Sequence, residues 1–181
     1  MAYRTLARIA LAAGCTLAVG APAAQADNPP PGDIPDNQAY VKYTGKGYSL
    51  KVPDGWSRKG TGAHVTFSDK YNSVIVDTSS ASKAPTIASV KKVDLSKLKA
   101  STKGFKNPKI TQVTRPAGTA VVISYQDTST PNAVTGKTVT EDVQRYVFWR
   151  HGTRLAVTLA APAGSDNVDP WRIITTSVHW A

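Results

Sequence analysis

Seven short segments of this chain alternate apolar with polar residues, and a period of two is that of a half-buried β-strand. In the first, Tyr48, Leu50 and Val52 fall on one face of a pleat while Ser49 and Lys51 fall on the other, and Pro53-Asp54-Gly55 ends it as a turn. Comparable runs span His64 to Phe67, Ser73 to Asp77, Lys109 to Thr114, Thr119 to Gln126, Val139 to Trp149 and Arg154 to Ala160. His151-Gly152 supplies a two-residue hairpin turn between the last two, so the final three strands are expected to form an antiparallel meander.

Two segments carry the helical period instead. Between Pro85 and Ala100, the residues Ile87, Val90, Leu95 and Leu98 gather on one helical face, with Val93 outside it. Near the chain end, Asp169 is placed to cap, Pro170 to take the first helical position, and Trp171, Ile174 and Val178 recur at helical spacing. The fold class that follows is α+β, an antiparallel sheet covered by helices. A length of 181 residues suits one domain, and 41% apolar against 19% charged residues is enough to bury a core.

The N-terminus has the form of a targeting segment. Arg4 and Arg8 precede an uncharged run from Ile9 to Ala21, and Ala24-Gln25-Ala26 offers small residues at alternate positions, so cleavage is expected after Ala26. The run is too short to cross a bilayer, which takes roughly 20 residues. A second reading of the segment takes Leu11-Ala12-Ala13-Gly14-Cys15 as a lipobox that would anchor the chain to the outer face of the membrane through Cys15. Arg8 and Ala12 fit that box poorly, and the secreted form is the expectation. Cys15 is the single cysteine, so the chain forms no intramolecular disulfide and has too few thiols for a cysteine-based metal site. Asp27 to Gln38 holds four prolines and three aspartates in twelve residues and is expected to be a disordered linker ahead of a domain over 39–181.

The charge is segregated. The formal net charge is +10, and from Lys83 to Arg115 nine basic side chains face Asp94 alone. Outside that stretch, residues 27–181 carry eleven basic and eleven acidic side chains. The surplus is expected to dock an anionic partner through Lys91, Lys92, Lys97, Lys99, Lys103, Lys106 and Lys109: an envelope polymer, lipid headgroups or an acidic protein surface. The competing reading is a solvated lysine face that keeps the chain soluble. Lysine suits diffuse attraction better than geometric recognition, and only Phe105 interleaves the patch, so specific nucleic-acid binding is not expected.

Catalytic signals are sparse. His64, His151 and His179 show no metal-ligand spacing, and there is no Gly-x-Ser-x-Gly elbow. Gly136-Lys137-Thr138 copies the end of a phosphate-binding loop, but Pro131 stands where its first glycine is needed. Glu141 and Asp142 point to opposite faces of a strand and cannot act as a pair. No cofactor is expected. An enzyme reading would be a hydrolase with a dispersed site, and a third would be an apolar-ligand carrier lined by Trp56, Trp149, Trp171 and Trp180.

The stretch Tyr43-Thr-Gly-Lys-Gly-Tyr-Ser-Leu-Lys-Val-Pro-Asp-Gly-Trp56 resembles the opening signature of the PsbP-like family. Phe67-Ser-Asp-Lys-Tyr-Asn-Ser-Val-Ile-Val76 is similar to that family's next two strands, the segment from Pro85 to Leu98 to its first helix, and Trp171 to Trp180 to its closing helix. The chain also looks like the small secreted proteins and lipoproteins of actinobacteria that carry this domain. The resemblance implies an α/β/α sandwich, a central antiparallel sheet flanked by helices, with partner binding and no shared catalytic residues. Residues and resemblance together predict a secreted, monomeric, non-enzymatic binding or accessory domain of the cell envelope.

Overall fold

The computed structural model describes residues 32–181, so the expected signal segment and Cys15 lie outside the described residues. In chain order the strands are β1 (Tyr40–Gly45), β2 (Tyr48–Pro53), β3 (Ser57–Thr61), β4 (His64–Asp69), β5 (Asn72–Ser80), β6 (Lys106–Arg115), β7 (Gly118–Thr128), β8 (Thr140–Arg150), β9 (Thr153–Pro162) and β10 (His179–Trp180). A continuous helical run separates β5 from β6: α1 (Ile87–Val90), a π turn (Lys91–Leu95) and α2 (Ser96–Ser101). A third helix, α3 (Val168–Thr176), precedes β10.

Seven strands form one antiparallel sheet in the order β3-β4-β5-β9-β8-β7-β6, and β1-β2-β10 form a second, smaller one. The expected meander of the last three long strands is present, and the His151-Gly152 turn between β8 and β9 has both residues at positive φ, as a tight hairpin requires. The architecture is α+β and antiparallel, as the alternation predicts.

Each face of the large sheet has its own core. On one face, Val65, Phe67, Val74, Val76, Val122, Phe148, Leu155, Val157 and Leu159 pack beneath Tyr48, Leu50 and Val52 of β2 and Ile174 of α3. The small sheet thus shares the covering of that face with a single helix. On the other face Val121, Ile123, Tyr125, Val143 and Ala160 pack under Val90, Leu95, Leu98 and Phe105. Central β9 is buried from Leu155 to Ala161, and on the helical side its Ala160 joins the second core.

The β1–β2 hairpin explains the glycines of its motif. A Cβ on Gly45 would collide with the ring of Tyr48, and Gly47 holds φ +83 in the turn. Three features depart from expectation. First, β3 reads Ser-Arg-Lys-Gly-Thr and is exposed throughout, an edge strand with no apolar face to signal it. Second, α3 begins earlier than predicted, with Asn167 as its N-cap residue and Pro170 in its third position, and ends at Thr176, so that His179 and Trp180 of the expected closing helix form β10 against β2 instead. The Asn167 side chain does not bond the helix; its Oδ1 accepts from Ile34 N at 2.8 Å and its Nδ2 donates to Gly32 O at 3.0 Å. Third, the expected linker is therefore docked over residues 32–38: Ile34 is buried, and Asp33 Oδ1 accepts from Asp166 N at 2.8 Å. An apolar residue with its N–H bonded internally ties down a segment that its prolines alone would leave extended.

Candidate anion-docking surface

The helical run starts where Thr86 and Ser89 satisfy each other's free N–H groups: Thr86 Oγ1 accepts from Ser89 N at 3.1 Å, and Ser89 Oγ accepts from Thr86 N at 2.9 Å. After Val90 the backbone widens into the π turn, which closes on the fifth residue. That turn brings Val90 and Leu95, five apart, onto the same core and turns Val93 outward to 45% exposure. The misfit of Val93 to a regular helical face is the sequence trace of this insertion.

The same phasing sorts the charges. Asp94, the one acid in the stretch, points inward and pairs with Arg154 of β9, the two side chains being 13% and 23% exposed. Lys91, Lys92, Lys97 and Lys99 are all exposed, and among the described residues none is within ion-pairing distance of a carboxylate. Lys103 follows in a turn whose carbonyl accepts from Thr128 N at 2.9 Å, and Lys106 opens the edge strand β6. Lys109 is exposed but pairs in register with Ser124 and lines a groove on the opposite face of the sheet, with Arg115. Six of the seven lysines thus follow the helical run and its exit, and the seventh lies across the edge strand from them.

Strand register assembles two polar clusters that spacing along the chain does not show. Asp127 of β7 lies directly opposite Glu141 of β8. Burial, then the Asp127 charge, pushes the Glu141 carboxyl up to about 7, and burial raises Asp127 as well. The Asp127 Oδ1 is enclosed without a hydrogen-bond partner. Separately, His64 Nδ1 lies 2.6 Å from Asp77 Oδ1, while Arg145 donates to Asp77 Oδ2 at 3.0 Å and to Thr158 Oγ1 at 2.6 Å. Asp77 orients the imidazole as in a hydrolase, but among the described residues no hydroxyl bonds its other nitrogen. His151 sits in the β8–β9 turn and His179 contacts Ser177 O, so the three histidines do not converge. Glu141 and Asp142 face opposite sides of β8, as the strand period requires.

The tryptophans do not line one pocket. Trp56, Trp171 and Trp180 pack against the first core, whereas Trp149 donates from the opposite face to Ala81 O at 2.8 Å. Among the described residues no group of three or more His, Cys, Asp or Glu could hold a metal ion, and no helix is long and apolar enough to cross a membrane.

No protein-family model matches the sequence, and no curated protein matches it. Solved structures are similar at low identity. The Ran-binding protein Mog1p of Saccharomyces cerevisiae is 13% identical over 80% of this chain and 95% of its own, with a TM-score of 0.50. LpqN of Mycobacterium tuberculosis, described as involved in cell envelope biogenesis, is 17% identical over 78% of this chain and 88% of its own, with a TM-score of 0.45. A protein of unknown function from Pseudomonas aeruginosa, a putative regulator, is 17% identical over 74% of this chain and 91% of its own, with a TM-score of 0.45. The likeness to Mog1p shows a shared fold: an antiparallel α+β arrangement.

Proposed function

We propose that the chain is a non-catalytic binding domain that docks an extended polyanion of the cell envelope on the lysines of its helical run. One observation carries this reading: Asp94 is spent on an inward pair with Arg154, which leaves Lys91, Lys92, Lys97 and Lys99 exposed and uncompensated. Lysines are point charges on flexible stems, suited to a partner with many similar anionic groups rather than to one planar carboxylate. Mog1p, described as Ran-binding, is a precedent for this fold in a binding protein. Signal-directed secretion would bring the chain to such a polymer.

The test is co-sedimentation of the full chain with purified envelope polymer and, in parallel, with vesicles of anionic lipid. Substituting Lys91→Glu, Lys92→Glu, Lys97→Glu and Lys99→Glu abolishes polymer binding while leaving the fold intact. Unchanged binding by that variant overturns the proposal, and binding to vesicles alone assigns the surface to lipid headgroups instead.

A further inference from the structure

A groove of about 620 Å³ lies on the opposite side of the large sheet from the helical run, between α3 and the strands β6, β7 and β8. Its volume falls in the range of roughly 300–1,000 Å³ typical of small-molecule sites. The floor is built by register: Lys109 pairs with Ser124, Ser124 with Gln144, and Gln126 with Asp142, so these side chains share one face. Trp171 of α3 forms part of the wall.

Three cations line the groove, Lys109, Arg172 and Arg115; Arg172 is paired with Asp169 at 2.9 Å, and Arg115 is the last residue of β6. Its Nε donates to Thr175 Oγ1 at 3.3 Å, its Nη1 donates to Thr114 O at 3.3 Å, and its guanidinium carbon lies 5.7 Å from the centre of the Tyr146 ring. The side chain is half-buried and held by neutral acceptors and an aromatic face, and among the described residues it has no carboxylate partner. The groove's acid does not supply one. Asp142 accepts instead from Gln126 Nε2 at 2.8 Å and from Gly164 N at 3.1 Å. Lys109 has no ion pair among the described residues either. A guanidinium held in place by neutral acceptors, with no carboxylate on it, is the arrangement that receives a planar or tetrahedral oxyanion; Lys109, six residues and so about 20 Å away along the strand, adds only long-range attraction.

We propose that this groove binds a small acidic molecule, whose carboxylate or phosphate group seats on Arg115. The site is independent of the lysine surface and stands whether or not that surface docks a polyanion.

The test is a titration of the 15N-labelled full chain with inorganic phosphate and with succinate at constant ionic strength. The expected result is saturable shifts at the Arg115 Nε–H and the Trp171 indole. The dissociation constant should lie in about the millimolar range or below. Saturation by phosphate alone, or by succinate alone, identifies the anionic group. Arg115→Gln weakens binding at least about tenfold, as loss of a charge-assisted pair predicts. Arg115→Lys, which keeps the charge and loses the planar fork, weakens it several-fold and decides the matter if Arg115→Gln does not fold. Lys91→Glu with Lys92→Glu leaves it unchanged. Shifts that never saturate, or binding by the Arg115 variants as tight as the parent's, would each overturn the proposal.

Discussion

At the scale of single residues, the groups that were hardest to foresee are those joined by register. Glu141 and Asp127 are fourteen positions apart in the sequence and nothing in their surroundings links them; only the antiparallel pairing of β7 with β8 sets them face to face. Their titration has a definite sign. The unfolded chain releases the Glu141 proton near the ordinary value of 4.5, whereas the native protein holds it to about 7. Over that window the native state binds more protons, so stability falls as pH rises from about 4.5 to about 7 and levels off above it. Glu141→Gln, neutral at every pH, should reduce that fall and be more stable than the parent at pH 8 by urea denaturation; an unaltered pH profile would contradict the coupling. Asn167 is a second such residue. Asparagine before a helix reads as a cap, yet its side chain serves Ile34 N and Gly32 O. Asn167→Ala strands a buried N–H and should cost about 1–3 kcal/mol, read as a lower urea midpoint, with faster proteolysis of residues 32–38.

At the scale of elements, the long strands were legible because each has one face on a core and one against a different environment. Leu155, Val157 and Leu159 meet the first core while Ala156, Thr158 and Ala160 face the other side of the sheet, where Ala160 joins the second core, and that alternation survives in the sequence. Strand β3 was illegible because both its faces are exposed, and β10 because two residues carry no period. The helical run was half legible: its inward residues were identified, but a regular helix could not accommodate Val93, and a π turn has no signature at 3.6 residues per turn. Asp94 fixes that run to β9 through Arg154. Removing one partner of a pair this well covered should cost about 1–3 kcal/mol, between the values for exposed and fully buried pairs. In Asp94→Asn, hydrogen exchange should show the amides of residues 87–101 losing protection while those of β9 keep theirs; equal protection in both would mean that the pair does not hold the run in place.

At the scale of the whole molecule, a basic surplus counted along the sequence becomes two separate features. The lysine count located the helical surface without resolving its facing, since which lysines point outward depends on the π turn. Lys109 and Arg115 belong to the same charged stretch, but the pleat of an edge strand carries them into a groove on the other face. Net charge alone therefore predicts less than its placement, and placement can be isolated. Two variants of equal net charge serve: Lys91→Glu, Lys92→Glu, Lys97→Glu and Lys99→Glu on the helical run, and Lys42→Glu, Lys46→Glu, Lys51→Glu and Lys59→Glu on exposed positions of β1, the β1–β2 turn, β2 and β3. Binding of each to the anionic polymer is measured across a salt series. The parent and the second variant should both show an affinity that falls linearly with log salt, with a slope of about three to four counterions, and the helical variant should lose both the affinity and the slope. If the two variants weaken equally, the attraction belongs to total charge and the helical surface is no docking site.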